Sequence, residues 1–406
     1  MELFVGKGGV GKSTLACAAA LAHVRAGSRV LLASIDQAHS LGDVLGVPIA
    51  HEPGSTAAIL RVRDRLDVVE IDSLALLEDR FAAMSAMLRY GGTHSHGIDP
   101  AALDPAEITG MPGAQELLAL GDIVDAAESD DWDVVVVDCG ATADLLRTIA
   151  APATLLGYLE RIWPQHERMT AAVGPDVRLA VVVATVERFV ATVTAIRDLI
   201  ADRRRTGARL VTVAERVALA EAARTRSAMS LLGVRLDSVV VNKVLPALDE
   251  PGTDPDHLAA VWYRDRRLEQ LDVIAELEQI LGESVPVIVA KHTGPEPVGL
   301  TSLGALSDAV GAQICRPGPE IAPSTVRLES GTGVDSVYAL RMHLPLVDPA
   351  SLSLGRADDD LIVGADGHRR RVRLASVLRR CTVDSAELDG AHLVVRFRPD
   401  PNVWPA

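Results

Sequence analysis

A glycine-rich segment near the start of the chain constrains the fold more than any other feature. Residues 6–13 read GKGGVGKS and match the pattern GxxxxGK[ST]. The apolar run before them, residues 2–5, predicts a short buried strand, and Leu15–Ala26 after them predicts an Ala- and Leu-rich helix. The run VLLAS at residues 30–34 predicts the next strand. A strand–loop–helix–strand unit of this kind implies a parallel sheet, because neighbouring parallel strands need a crossover connection.

Four further apolar runs extend the predicted sheet. They lie at residues 134–137, 210–213, 239–241 and 285–290. Because none of them alternates apolar with polar residues, each strand is expected to be buried on both faces. The sequence therefore predicts an α/β fold, a P-loop NTPase with a mostly parallel sheet flanked by helices.

Two stretches between the strands are too long for simple crossovers. Residues 72–130 and 151–205 are predicted to form a helical subdomain. The first carries an apolar face at helical spacing, formed by Leu77, Phe81, Met84 and Leu88. The second contains the apolar cluster Leu155, Leu156 and Leu159. These residues are candidates for an apolar groove, and packing into an ordinary core explains them at least as well.

One segment of the second stretch is ambiguous. Residues 179–186 read LAVVVATV and fit either a strand or a helix. The apolar residues from Phe189 to Ile200 recur at helical spacing, which favours one long helix that begins near residues 175–176.

The end of the chain has a different pattern. Asp366-Gly367 and Asp389-Gly390 are typical of β-hairpin turns between short strands. We therefore expect an all-β, sandwich-like domain at residues 324–406, joined by a proline-containing linker at 316–323 to an α/β domain at 1–315.

Charge and cysteine content exclude several classes of protein. The net charge of −15 makes a sequence-independent grip on nucleic acid implausible. The longest uncharged runs have 12 residues, whereas a membrane-spanning helix needs about 20, so no direct membrane span is expected. The four cysteines form no CxxC pair, which is typical of a reduced, cytoplasmic chain.

The glycine segment predicts a phosphate-binding loop. Its glycines allow backbone N–H groups to converge on phosphate oxygens, and the following helix N-terminus adds partial positive charge. In this pattern Lys12 reaches the β- and γ-phosphates and the Ser13 hydroxyl binds Mg²⁺. The chain has four lysines, Lys7, Lys12, Lys243 and Lys291, so two of them in one short loop are conspicuous.

Two carboxylates follow predicted strands. Asp36 comes after the strand at 30–34 and Asp138 after the strand at 134–137. Ligands bind at the carboxyl ends of strands in parallel sheets. The two acids are therefore candidates for Mg²⁺ coordination and water orientation, although an Asp in such a place is also often a helix cap. His39, close to Asp36, is more readily explained as a residue that fixes its loop.

Four motifs together resemble the ArsA-type ATPases, which include arsenite-pump ATPases and the GET-pathway ATPases that escort tail-anchored membrane proteins. They are GKGGVGKST, SIDQAHSLGD at 34–43, DCGATADLLRTIAAP at 138–152 and VVVNKVLP at 239–246. The resemblance spans nearly all of residues 1–315. The end of the chain resembles the small heat-shock-like, α-crystallin-type domain appended to some members.

The resemblance implies ATP and Mg²⁺ as cofactors and hydrolysis of ATP to ADP and phosphate. It implies that Asp36 orients or deprotonates the attacking water, that Asp138 holds Mg²⁺ through water, and that Asn242 hydrogen-bonds the adenine edge. Asp36 is a further candidate Mg²⁺ ligand. The residues that the resemblance places around the nucleotide are Gly8, Gly9, Val10, Gly11, Lys12, Ser13, Thr14 and Asn242.

Lys7 gives the loop the deviant form KGGxGK. In the families with this variant, that lysine reaches the nucleotide of the neighbouring subunit. The resemblance therefore implies a dimer, either of two copies or with a paralogous ATPase subunit. The expected function is a nucleotide-gated switch that binds a hydrophobic client or a membrane partner.

The sequence also departs from the family pattern. Gln37 replaces the proline of the first switch, and residues 138–143, DCGATA, replace DTAPTG in the second, which makes fast hydrolysis doubtful. The zinc-binding CxxC and the arsenite-binding cysteine cluster are missing. The alternatives are a subunit of an anion or metalloid efflux pump and a slow, chaperone-like holdase. A partition ATPase and an iron–sulfur reductase fit the charge and the cysteines less well.

Overall fold

A computed structural model describes most of the chain. The described residues are 1–38, 40–49, 58–72, 75–76, 114–174, 177–248, 256–318 and 324–404. Three parts of the prediction lie outside them: His39, the apolar face of Leu77, Phe81, Met84 and Leu88, and residues 319–323 of the linker.

An eight-stranded sheet forms the centre of the first 318 residues. Its strand order is β3-β4-β2-β5-β1-β6-β7-β8. All neighbouring pairs are parallel except β3 and β4, which form an antiparallel pair at one edge. The strands are β1 (Glu2–Gly6), β2 (Val30–Ser34), β3 (Leu60–Arg63), β4 (Leu66–Glu70), β5 (Val134–Ala141), β6 (Gly207–Val213), β7 (Leu236–Val244) and β8 (Val287–Lys291).

Helices cover both faces of this sheet. They are α1 (Lys12–Arg25), α2 (Leu41–Leu45), α3 (Ala114–Glu128), α4 (Thr142–Ile162), α5 (Gln165–Ala172), α6 (Val177–Ala201), α7 (Arg216–Leu232), α8 (Leu258–Leu281) and α9 (Gly299–Leu306). One apolar core joins the sheet to α3, α4, α6, α7 and α8, and a second joins it to α1, α2 and α9. This arrangement confirms the predicted α/β fold with a mostly parallel sheet.

The ambiguous segment at 179–186 is helical. It lies within α6, a single helix of 25 residues, as the apolar spacing favoured. The edge pair β3 and β4 was not predicted, because LRVR and LDVVE are short and partly charged. Their turn places Arg65 at a φ of 62°, a left-handed conformation that is uncommon for a residue other than glycine.

The described residues include one helix that is long and apolar enough to cross a membrane, by length and composition alone. It is Leu179–Ala201 in α6. Because this match concerns length and composition alone, the absence of a direct membrane span stays a prediction. Glu187 and Arg188 divide this segment into shorter uncharged runs, so a search for long uncharged runs does not find it.

The C-terminal residues form two antiparallel sheets around a shared apolar core. One sheet has the order β14-β15-β10-β9 and the other β11-β12-β13. Asp366 and Gly367 both have left-handed φ angles, 50° and 82°, as a two-residue hairpin turn requires. The predicted all-β fold is confirmed, with strands β9 (Thr325–Ser330), β10 (Val337–His343), β11 (Ser353–Ala357), β12 (Asp360–Ala365), β13 (His368–Arg373), β14 (Cys381–Asp389) and β15 (His392–Pro399).

Helix α7 joins the two parts of the molecule. Leu231 near its end is fully buried in the apolar core of the C-terminal sheets. The Ser227 hydroxyl donates a hydrogen bond to the Asp366 carboxylate at 2.8 Å, and Arg370 donates to the Leu231 carbonyl at 2.9 Å. Because Arg370 binds a carbonyl of the last helical turn, its charge also complements the helix dipole.

Candidate functional site

A large cavity lies at the carboxyl ends of the parallel strands. Its volume is about 670 Å³, which falls within the usual range for small-molecule sites. It lies where ligands bind in open α/β sheets. Its polar lining includes Gly8, Gly9, Gly11, Lys12, Ser13, Thr14, Asp36, Ser40, Asn242, Lys243, Lys291, His292, Thr293 and Glu296.

The glycine loop between β1 and α1 forms one wall. Gly9 and Gly11 have φ angles of 77° and 93°, which side chains with a Cβ adopt only under strain. A Cβ on Gly11 would also overlap the side-chain amide of Asn242. Both the backbone conformation and the close approach of Asn242 therefore require glycine at this position.

Lys12 is a buried cation at the base of this loop. Only 6% of its side chain is exposed. Its Nζ donates to the Lys7 carbonyl oxygen at 3.3 Å and lies 3.8 Å from Oδ2 of Asp36. A buried ammonium group with a single distant carboxylate is well placed to bind an anion in the cavity.

Asp36 shapes the loop after β2. Its Oδ1 accepts a hydrogen bond from the Ala38 backbone N–H at 3.1 Å, which forms a local turn, while Oδ2 faces Lys12. Further along this loop, the hydroxyls of Ser40 and Ser13 lie 2.8 Å apart. The loop is thus tied to the first turn of α1. Ser40 was not among the predicted site residues.

Asp138 lies within β5, three residues before the strand ends at Ala141, and not after the strand as predicted. Its carboxylate is fully buried. Neither oxygen makes a hydrogen bond of normal geometry with the described residues. Burial raises the pKa of Asp138 to about 7, and the Ser13 hydroxyl and the Lys12 ammonium lower that pKa by less than burial raises it. A buried carboxylate without a partner, beside a serine hydroxyl, has the donor atoms that Mg²⁺ prefers, so these residues fit the ion.

Lys7 points away from the cavity. Its Nζ lies 2.5 Å from Oε2 of Glu221 on α7, and more than half of its side chain is exposed. The side chain of Lys7 therefore lies apart from the side chains of Lys12 and Asp36, although its backbone carbonyl accepts a hydrogen bond from Lys12.

Asn242 and Lys243 connect the end of β7 to the glycine loop. Nδ2 of Asn242 donates to the Val10 carbonyl at 2.8 Å, and Nζ of Lys243 donates to the Gly9 carbonyl at 2.9 Å. Asn242 lines the cavity, as a base-binding residue would, and one of its amide hydrogens is used within the protein.

Lys243 and Lys291 were missed as site residues. Both line the cavity together with Lys12, so three of the four lysines of the chain surround it, and the fourth is on the glycine loop. The scarcity of lysine in the sequence is the signal that could identify them, because it singles out Lys243 and Lys291 as well as Lys7 and Lys12.

The cysteines lie away from the cavity lining. All four are free thiols, and burial raises the pKa of Cys139 well above its ordinary value. A buried, protonated thiol of this kind is a poor nucleophile and a poor metal ligand.

The glycine loop, its buried lysine and the carboxylates at the strand ends define a P-loop nucleotide-binding protein. Comparison with known families agrees. Residues 1–311 match the anion-transporting ATPase (ArsA) family model, and residues 335–397 match the model of an HSP20-like domain found in ArsA. The chain belongs to the ArsA ATPase family, and carries the HSP20-like domain at its C-terminal end.

Related proteins match most or all of this chain. Protein Rv2184c of Mycobacterium tuberculosis is 44% identical over 100% of this chain and 97% of its own length. A protein of Aquifex aeolicus described as an arsenical pump-driving ATPase is 25% identical over 97% of this chain and 98% of its own. The ATPase get3 of Neurospora crassa is 25% identical over 72% of this chain and 87% of its own.

Proposed function

We propose that this protein hydrolyses ATP with Mg²⁺ in the cavity at the carboxyl ends of the sheet. The observation that carries the proposal is the buried, unpartnered carboxylate of Asp138 beside Ser13 and Lys12. An isolated buried charge is costly, so a fold that keeps one gains from a cation bound there. The family assignment supports nucleotide binding independently.

Each residue has a role that follows from its position. The glycine-loop N–H groups of Gly8, Gly9, Val10 and Gly11, with Thr14, bind phosphate oxygens, and Lys12 offsets their charge. Ser13 directly, and Asp138 through water, would hold Mg²⁺, which would neutralise phosphate charge when bound. Asp36 orients the attacking water and accepts its proton, since Oδ2 faces the cavity beside Lys12.

The Asp36→Asn variant tests this assignment. It keeps the turn to Ala38 but removes the proton acceptor, so we expect ATP hydrolysis to fall by about 10²-fold or more while ATP affinity is retained. Hydrolysis and nucleotide affinity are measured on the same preparation. Unchanged hydrolysis would contradict the role of Asp36 and favour a slow holdase, in which nucleotide acts as a structural clamp.

We further propose a dimer, of two copies or with a paralogous subunit, in which Lys7 leaves Glu221 and reaches the partner's nucleotide. The exposure of Lys7 supports this, because an exposed ion pair of this kind is weak and is easily exchanged. We expect Lys7→Ala to abolish any concentration dependence of the turnover rate while nucleotide binding persists. A nucleotide-loaded protein that stays monomeric with no second ATPase subunit, or unchanged turnover in Lys7→Ala, would contradict this proposal.

The partner proposed is a hydrophobic client or membrane protein. Exposed apolar side chains lie on α4 and α5, at Tyr158, Ile162, Met169 and Val173, next to the apolar helix α6. Leu155 and Leu156 instead pack against the main core, which agrees with packing into an ordinary core and not with a groove. Replacing Tyr158 and Ile162 with Asp should therefore release a bound apolar peptide without unfolding the protein.

Three organisational proposals accompany this function. The chain divides into an ATPase domain at 1–315, a linker at 316–323 and a C-terminal β domain at 324–406. The helical subdomain comprises about 72–130 and 151–205. The protein acts in the cytoplasm, consistent with its reduced thiols.

A further inference from the structure

Lys243 has a backbone conformation that needs an explanation. It lies within β7, yet its φ is 59°, in the left-handed region that residues with a Cβ rarely adopt. Strained residues persist where the surrounding structure determines them, and they are concentrated at functional sites. The strain here therefore points to a role for the Lys243 side chain.

Neighbouring side chains hold this conformation in place. The Lys243 backbone N–H donates to Oδ1 of Asn242 at 2.9 Å. On the other side, Nε2 of Gln270 on α8 donates to the Lys243 carbonyl at 3.3 Å, and its Oε1 accepts from the Leu245 N–H at 2.9 Å. Gln270 is itself buried, so its two hydrogen bonds fix the backbone around Lys243 to α8.

Two side-chain hydrogen bonds join β7 to the glycine loop and together form what we call the brace. Lys243 Nζ binds the Gly9 carbonyl and Asn242 Nδ2 binds the Val10 carbonyl, across more than 230 positions of sequence. A carbonyl held by these donors cannot turn into the cavity, where it would repel an anion. The adjacent N–H groups are thereby left free to face phosphate oxygens.

We propose that Lys243 is a positioning residue of the nucleotide site, which holds the Gly9 carbonyl out of the phosphate cradle and keeps the empty loop ready to bind. The brace lies on the loop and not beside Asp36, so it acts on the diphosphate and triphosphate alike. Its loss should therefore weaken binding of both nucleotides and raise KM, with little change in kcat. This proposal rests on nucleotide binding at the proposed site.

The experiment compares Lys243→Ala, Lys243→Arg and Lys243→Gly in the full-length protein. The affinity for Mg·ADP is measured by calorimetry, and KM and kcat by ATP hydrolysis. We expect Lys243→Ala to weaken Mg·ADP binding and raise KM by about tenfold or more, with kcat within about threefold, since a charged hydrogen bond is lost. Lys243→Arg, which can still donate to the Gly9 carbonyl, should recover most of the affinity.

Lys243→Gly separates bracing from folding. Glycine removes the amine and also relieves the left-handed strain, so the nucleotide-free variant should unfold at no lower a temperature than the wild-type protein. It should nevertheless show the same loss of affinity as Lys243→Ala. Wild-type affinity in the glycine variant would overturn the proposal.

Lys291→Ala is the matched control for charge. It removes one positive charge from the lining of the same cavity. If the contribution of Lys243 were only electrostatic attraction, the two alanine variants would lose equal affinity, and the bracing role would be refuted. We expect the Lys291 variant to lose less affinity than Lys243→Ala, because it removes a charge but not the hydrogen bond to the Gly9 carbonyl. A wild-type protein that binds no nucleotide would refute the proposed function as well, whereas loss of the Lys243 effect alone leaves that function intact.

Discussion

The edge of the parallel sheet that lines the cavity and the C-terminal β region differ in where their charged side chains lie. At the sheet edge, Lys12 and Asp138 are buried, and the Asp138 carboxylate lacks hydrogen bonds among the described residues. In the C-terminal region, acidic and basic side chains pair on the surface, as Arg396 does with Glu329 and Glu387 at 2.7 and 2.8 Å. Its core is almost entirely apolar.

The difference indicates which charges serve function. Exposed pairs cost little to form and contribute little to stability. A buried charge without a full set of partners lowers stability, so its presence is better explained by a ligand than by the fold. Substitutions at the two regions should therefore have different consequences, and the following predictions test this from the largest expected effect to the smallest.

Lys12→Ala should have the largest effect of these substitutions. It should impair nucleotide binding and hydrolysis and leave the folding stability unchanged. Removal of the buried ammonium group should lower ATP hydrolysis by about 10³-fold or more, because the charge that opposes the phosphates is lost. The melting temperature without nucleotide should stay near that of the wild-type protein. Residual hydrolysis within tenfold of wild type would contradict the assigned role.

Leu231→Ala should have the largest effect on stability. Its side chain is fully buried between α7 and the C-terminal sheets, so truncation should lower the free energy of unfolding by about 2–5 kcal/mol. Urea unfolding measures this. Leu328→Ala is the matched control, because Leu328 is exposed on β9 and should change the free energy by about 0.5 kcal/mol or less. Equal effects would mean that the interface between the two regions is not packed.

Asp138→Asn should change the pH dependence of stability. The pKa of Asp138 is about 7 in the folded protein and near 3.8 when unfolded. Between these values the folded state binds more protons, so metal-free stability is present below pH 4 and is lost as the pH rises to 7. The asparagine variant cannot ionise. Relative to the wild-type protein, its free energy of unfolding should therefore increase by up to about 4 kcal/mol between pH 4 and pH 8.

Thermal unfolding of both proteins in EDTA, at pH 5 and pH 8, measures this gain. Addition of Mg²⁺ with nucleotide at pH 8 should then stabilise the wild-type protein more than the variant. A constant difference between the two proteins across the pH range would show that the Asp138 carboxylate is not held in a buried, proton-binding state.

Arg396→Ala should have the smallest effect. Arg396 lies on the surface of the C-terminal region between two glutamates, and exposed pairs contribute little. We expect the melting temperature to change by about 2 °C or less, and the ATPase rate to be unaffected. A larger shift would mean that the surface pairs of this region act as a network.

Much of the fold could be predicted because its signals are local. The glycine loop, the unbroken apolar strands and the Asp366-Gly367 turn each depend on the steric limits and the periodicity of a few neighbouring residues. The edge strands β3 and β4 could not be predicted, because a short, partly charged segment adopts the strand conformation only when it pairs with a neighbouring strand. The docking of Leu231 into the C-terminal core likewise has no local signal.

The same division applies to the candidate site. Sequence alone predicted a phosphate-binding loop with Lys12 and Ser13, and the place of Asp36 just after β2, because residue type and spacing within one strand–loop–helix–strand unit carry that information. It also predicted Asp138 just after a strand, whereas β5 continues past this residue to Ala141. The brace from Asn242 and Lys243, the pairing of Lys7 with Glu221 and the burial of Asp138 were decided only by tertiary structure. These features join residues that are distant in sequence, and burial and hydrogen bonding across such distances arise only once the sheet has assembled.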